Sequence, residues 1–104
     1  MATGTALMPS DDRAEPHDET MHRVPLRGDA GRHMATIVNV SPNGFMARCD
    51  GELTIGDRVE VTLPVVGTFD AEVRWALGGR IGCRLAQEVP PALYQFVVAA
   101  MRHD

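Results

Sequence analysis

Alternation of apolar and polar residues with a period of two constrains the fold of this chain more than any other feature of its sequence. In residues 71–77, every second side chain is apolar: Ala71, Val73, Trp75 and Leu77. This period places those side chains on one face of a β-strand. The same alternation occupies residues 59–63 and 81–85, and shorter apolar runs occupy residues 36–40 and 45–49. The sequence therefore predicts five strands.

The segments between these strands are short and have the composition of turns. Gly78 and Gly79 suit a hairpin turn with positive φ angles, and Pro64 ends a strand because it has no N–H group for the next ladder. Residues 41–44 read Ser-Pro-Asn-Gly, another turn sequence. No connection is long enough for a crossover helix, so we expect an all-β antiparallel fold, a small barrel or a sandwich.

The C-terminal segment changes to a helical period. Its apolar residues recur at intervals of three and four: Leu93, Phe96, Val97, Ala100 and Met101. Pro90 and Pro91 precede them, where a first helical turn tolerates proline. The pattern predicts an amphipathic helix whose apolar stripe covers a barrel mouth, the outside of the sheet or a second molecule.

The formal charge of −4 lies entirely in residues 1–20, while the remaining 84 residues hold equal numbers of arginines and carboxylates. Residues 1–20 also lack apolar periodicity, so we expect a flexible acidic leader followed by one domain over residues 21–104. A neutral domain argues against binding of duplex nucleic acid. No apolar run is long enough to insert into a membrane and none resembles a secretory signal, so we expect a cytoplasmic protein.

A search for reactive groups finds no catalytic or metal-binding pattern. The four histidines do not lie at metal-ligand spacing with thiols or carboxylates, and Ser41 is not in a nucleophile-elbow motif. Cys49 and Cys83 lie in apolar alternations, so we expect buried reduced thiols, with a disulfide or a metal pair as the alternative. The sequence predicts neither an enzyme nor a cofactor.

Two short motifs point to a ligand instead. Arg23 and Arg27 form an R-x-x-x-R motif, and residues 39–44, Asn-Val-Ser-Pro-Asn-Gly, form a [D/N]-x-S-x-x-G motif at a turn between strands. Together, and in this order, they resemble the signature of PilZ domains, bacterial receptors for the second messenger cyclic di-GMP. The resemblance covers about residues 21–101, and Gly82-Cys83-Arg84-Leu85 is similar to the last strand of that family.

The resemblance implies a six-stranded antiparallel barrel that ends in a helix, with the arginine motif on a flexible arm before the barrel. It implies a cyclic di-GMP site formed by five residues: Arg23, Arg27, Asn39, Ser41 and Gly44. The expected function is that of an adaptor, in which the ligand orders the arm and so alters contact with an unidentified protein partner.

These residue types suit the ligand chemically. Cyclic di-GMP is a dianion with two guanines, and arginine binds both phosphate and the O6/N7 edge of guanine bidentately. Asn39 and Ser41, two apart on a strand, are expected on one exposed face, and Gly44 leaves room for a flat base. The alternatives are that the arginines are merely solvated and that Asn39 and Ser41 only cap a turn. Trp75 is expected in the core rather than as a platform for a base.

One spacing departs from the family pattern. Only residues 28–38 separate Arg27 from Asn39, so the first strand is expected to be short or missing. Arg27 and Arg32 are then an alternative to the usual arginine pair. The alternative function is that of a divergent PilZ domain that does not bind cyclic di-GMP and serves as a protein-interaction module in motility or surface assembly.

Overall fold

A computed structural model describes residues 16–102, and the acidic leader expected over residues 1–20 lies largely outside the described residues. The elements follow one another as β1 (Asp18–Gly28), β2 (Gly31–Ser41), β3 (Gly44–Cys49), β4 (Arg58–Leu63), β5 (Gly67–Leu77), β6 (Arg80–Leu85) and α1 (Pro91–Arg102). All five predicted strands are confirmed within β2 to β6. The first strand begins at Asp18, three residues before the expected domain start at Met21.

The strands form a closed antiparallel barrel in the order β1-β2-β3-β6-β5-β4, and pairing of β1 with β4 completes the ring. The barrel and the C-terminal helix predicted from the sequence are therefore confirmed. In this order β3 and β4 lie on opposite sides of the barrel. Apart from the register shifts, alternate residues of the strands point inward and form one core, whose fully buried members include Leu26, Ile37, Val61 and Val73.

The expectation that the first strand is short or missing is wrong, because β1 contains 11 residues. Two features hide it in the sequence. The register between β1 and β2 shifts between Glu19 and His22, which breaks the period of two. Pro25 interrupts the strand pattern, yet it lies just outside the β1–β4 ladder, which pairs only residues 26–28 of β1. A proline is tolerated at such a position because one side of the strand needs no N–H donor.

The turns follow the sequence prediction. Gly78 and Gly79 have φ angles of 63° and 79° and connect β5 to β6. Pro64 follows the last residue of β4, and the β4–β5 turn closes with a 2.8 Å hydrogen bond from the Val66 N–H to the Pro64 carbonyl. Val65, at the centre of that turn, has a φ angle of 74°, a strained conformation for a β-branched residue.

Helix α1 covers the barrel mouth at which β1 begins and β2 ends. The Tyr94 hydroxyl donates to Asp18 Oδ2 at 2.7 Å and also lies 3.0 Å from the Val40 carbonyl oxygen. At the C-terminal end of the helix, Arg102 Nε donates to the Glu19 carbonyl at 2.8 Å. The opposite mouth is covered by residues 50–57, where Leu53 is buried and the Gly56 N–H bonds to the Val73 carbonyl at 2.8 Å.

The buried face of α1 differs from the predicted stripe. The residues that face the core are Tyr94, Val97, Val98 and Met101. Leu93 and Phe96, which the sequence pattern assigned to the stripe, are 37% and 64% exposed. The helix is apolar on both faces, so periodicity alone does not identify the one that packs. Among residues 16–102, no helix is long and apolar enough to cross a bilayer.

Candidate functional site

The second motif, residues 39–44, lies where β2 turns into β3. Ser41 pairs with Gly44, and Pro42 and Asn43 form the two-residue turn between them. The Leu85 N–H donates to the Asn43 carbonyl and the Val89 N–H to the Pro42 carbonyl, each at 2.8 Å. The turn is thus bonded directly to the segment that leads from β6 into α1.

Asn39 is the residue of this motif that presents a polar side chain on the outer barrel surface. It is half-buried and lies between Glu19 of β1 and Met46 of β3. Its Oδ1 atom lies 3.4 Å from Nδ1 of His17, in the segment that precedes β1. A half-buried amide on the outer surface offers both donors and an acceptor to a ligand.

The expectation that Ser41 lies on an exposed face is wrong, because the residue is only 1% exposed. Gly44 is also buried, and a Cβ atom there would lie 2.5 Å from the Cys83 carbonyl oxygen of β6. That distance is shorter than van der Waals contact, so the close approach of two strands requires glycine at position 44. In this conformation both residues support the turn.

The arginine motif does not lie on an arm. Arg23 and Arg27 both belong to β1, and this strand pairs with β2 along its length. The predicted arm before the barrel is therefore wrong for these residues. Because the neighbouring Val24 and Leu26 are buried, both arginines point outward.

Arg23 lies near the second motif and Arg27 does not. Arg23 pairs with Thr36, three residues before Asn39 on β2, whereas Arg27 pairs with Arg32, seven residues before it. At about 3.3 Å per residue, this places Arg27 roughly 20 Å from Asn39 along the strand. The structure therefore brings Arg23 and Asn39 to one surface and leaves Arg27 elsewhere.

Arg27 lines a surface cleft of about 760 Å³ that extends over β4, β5 and β6. Four arginines and four carboxylates line it: Arg27, Arg58, Arg74, Arg84, Asp29, Glu60, Asp70 and Glu72. Opposite charges balance in this cleft, which makes it a poor site for a dianion. Pairing of Arg27 with Glu60 on β4 favours the interpretation that this arginine is a surface charge of the barrel.

Two further arginines belong to the same row of cross-strand partners as Arg23 and Thr36. They are Arg48 on β3 and Arg80 on β6. Thr36 pairs with Arg48 on β3, and Arg48 pairs with Arg80 on β6. We call these three arginines, Arg23, Arg48 and Arg80, the arginine row. The sequence alone does not place Arg48 beside Arg80, because only the pairing of β3 with β6, which skips two strands in sequence, aligns them.

Trp75 was expected in the core, and that expectation is wrong. The register between β5 and β6 shifts between Val73 and Trp75, which turns the indole to the outer surface. There it is half-buried and lies against Gly82, where any Cβ atom would collide with the ring. The row of residues beside the arginine row thus contains Asn39, Met46, Gly82 and Trp75.

The two cysteines are free thiols in the barrel core. Cys49 and Cys83 are free and buried, as expected, and burial, with the nearby Cys49 as a smaller cause, raises the pKa of Cys83 to about 12. A thiol with so high a pKa stays neutral and unreactive. Within residues 16–102, no three histidine, cysteine or carboxylate side chains cluster in a way that suits a metal ion.

Comparison with known proteins agrees with the barrel fold. A family model of the PilZ domain matches residues 11–101 of the chain. A search of curated proteins found no match. PilZ domains are receptor and adaptor domains, and the family is generally associated with cyclic di-GMP binding. With the match spanning most of the sequence and the closed six-stranded barrel ending in a helix, this chain belongs to the PilZ domain family.

Proposed function

We propose that this protein is a cyclic di-GMP receptor that acts as a non-enzymatic adaptor in the bacterial cytoplasm. The observation that carries the proposal is the common outer surface shared by Arg23 and Asn39. The guanidinium of Arg23 supplies a forked cation for a phosphate or for the O6/N7 edge of guanine. The amide of Asn39 supplies hydrogen bonds to a second guanine edge.

The ligand contacts in this proposal come from strands, so the site exists before the ligand arrives. Ordering of an arm that carries Arg23 and Arg27 is no longer part of the mechanism, because both arginines are held in β1. Gly44 keeps β3 close to β6 beneath the site, and Ser41 packs inside the turn. A preformed site of this kind loses little conformational entropy on binding.

A route from the site to a protein partner runs through the turn between β2 and β3. The Pro42 carbonyl accepts from the Val89 N–H at 2.8 Å, two residues before α1 begins. Tyr94 of α1 lies 3.0 Å from the Val40 carbonyl oxygen, one residue after Asn39. A ligand on Asn39 therefore acts on a strand that directly contacts the helix, whose exposed Phe96 offers a surface to an unidentified partner.

Calorimetric titration with cyclic di-GMP tests the receptor function. The wild-type protein should bind, and Arg23→Ala should weaken binding by roughly 1.5 to 3 kcal/mol, the typical contribution of a hydrogen bond to a charged group. Asn39→Ala should weaken it less, because its amide is neutral. Arg27→Ala is the matched control and should bind almost as tightly as wild type.

The second candidate is the interaction module that does not bind cyclic di-GMP, for example in motility or surface assembly. Burial of Ser41 and Gly44 and the distant position of Arg27 favour it, since three of the five predicted ligand residues do not reach the site. Absence of heat with wild-type protein at millimolar cyclic di-GMP would reject the receptor function and support this one.

A further inference from the structure

The arginine row places like charges directly opposite one another on the outer barrel surface. Arg48 and Arg80 are cross-strand partners, so their Cβ atoms lie about 4.5 to 5.5 Å apart. Arg23 lies two strands away from Arg48, with Thr36 between them. Like charges in directly opposed positions destabilise a sheet unless an anion lies between them.

No ion pair offsets this charge in the part of the chain that the structure describes. Arg23, Arg48 and Arg80 form no ion pair with another residue among 16–102, whereas Arg102 lies 3.6 Å from Asp18. All three are exposed. The row beside them includes the uncharged Asn39, Met46 and Gly82 and ends on β1 at the exposed carboxylate of Glu19, which pairs with Asn39. The arginine row itself is therefore cationic although the domain is neutral, and Glu19 and Asp50 are the nearest carboxylates in sequence to Arg23 and Arg48.

We propose that Arg48 and Arg80, together with Arg23, bind the phosphates and a guanine edge of cyclic di-GMP. This inference rests on the proposed receptor function and names the cations of its site. Arg27 lies near the balanced cleft and supplies no second guanidinium to Arg23, so the second and third cations come from β3 and β6. Arg48 and Arg80 are direct neighbours on adjacent strands, so both guanidinium groups can contact one ligand that carries two phosphates.

Trp75 provides a reporter for this surface. It is the only tryptophan in the chain and lies against Gly82, two residues along β6 from Arg80. The indole is half-buried, so a ligand over the arginine row changes its solvent exposure. We expect cyclic di-GMP to shift the tryptophan emission of the wild-type protein.

The test compares three glutamine variants of the full chain, which keep the length of the side chain and remove one positive charge each. Arg48→Gln and Arg80→Gln should each weaken binding of cyclic di-GMP about 10-fold or more, as expected for lost charge-assisted bonds. Arg58→Gln is the control. Arg58 is also exposed, but it lies on β4, across the barrel from β3. Its affinity should stay within about twofold of wild type, the effect of a distant charge.

A second measurement separates ligand binding from a structural role. Without ligand, the Arg48→Gln and Arg80→Gln variants should melt at the same temperature as wild type or slightly higher, because each relieves a like-charge contact. A lowered melting temperature with unchanged affinity would overturn the proposal.

The experiments give different results when only this inference is wrong and when the receptor function is wrong. If wild type binds and the Arg48→Gln/Arg80→Gln double variant binds within twofold of it, the ligand lies elsewhere and only the inference falls. If wild type gives neither heat nor an emission change, both fall together.

Discussion

Position 44 shows how one residue type serves architecture and motif at once. A glycine in a [D/N]-x-S-x-x-G motif suggests space for a ligand, yet here the space is occupied by the backbone of β6 at Cys83. The φ angle of Gly44 is not positive, so close approach and not turn geometry requires the glycine. Sequence alone does not distinguish these reasons, because both demand the same absent side chain.

Gly44→Ala should therefore destabilise the free protein. The new methyl group meets a carbonyl oxygen of the backbone, which moves only by shifting β6, and overpacking of this kind costs about 1 to 3 kcal/mol. Urea denaturation followed by circular dichroism measures the change. Asn39→Ala is the control and should change the unfolding free energy by less than about 0.5 kcal/mol, because its side chain is outside the core. Equal stability of Gly44→Ala and wild type would show that the strands have room to separate.

At the scale of elements, sequence periodicity predicts those strands that keep a regular register. Strands β3, β4 and β6 have no residue inserted by a register shift, and all were predicted. Strand β1 was missed because a register shift and Pro25 disturb its period. The register shift at Trp75 likewise reverses the predicted direction of the indole. Whether a break in the period is a bulge or the end of a strand depends on pairing with a distant strand, so the local pattern does not distinguish the two.

The helix poses a different problem, because two of its faces are apolar. Leu93 and Phe96 were assigned to the packing stripe, but contacts with β1 and β2 select Tyr94, Val97 and Val98 instead. The choice is made by the barrel mouth, whose shape is a property of six strands together. Propensity and periodicity predict that a helix forms here. They do not predict which of its faces packs on the barrel.

The face that α1 turns to the barrel predicts unequal losses of stability when two neighbouring residues are replaced. Val97→Ala should lower the free energy of unfolding by about 1 to 3 kcal/mol, because Val97 is fully buried and its removal leaves a cavity. Phe96→Ala removes a larger side chain but should change stability by less than about 0.5 kcal/mol, since Phe96 is mostly exposed. Chemical denaturation of both variants measures this. A larger loss from Phe96→Ala would show that the predicted stripe packs on the barrel after all.

At the scale of the whole molecule, ring closure explains why distant parts of the sequence form one site. The order β1-β2-β3-β6-β5-β4 sets β3 beside β6, which aligns Arg48 with Arg80 and the motif turn with the last strand. The two motif elements were predictable as short sequence patterns. Their relative placement, and the exclusion of Arg27, follow from strand pairings between residues far apart in the chain, which no local pattern records.

The same long-range closure makes stability depend on the contact between α1 and the start of β1. The Tyr94 hydroxyl lies 2.7 Å from Asp18 Oδ2 and 3.0 Å from the Val40 carbonyl, and so joins the last element to the first two. Tyr94→Phe keeps the buried ring and leaves these acceptors without their donor, which should cost about 1 to 2 kcal/mol. For a domain of this size, the melting temperature in calorimetry should then fall by roughly 4 to 8 °C per kcal/mol. Arg102→Ala is the comparison and should cost at most about 1 kcal/mol, because half of the arginine side chain is exposed and its Asp18 contact is 3.6 Å long. If Tyr94→Phe has the same melting temperature as wild type, the helix is held by apolar packing alone, and the hydroxyl does not couple α1 to β1 and β2.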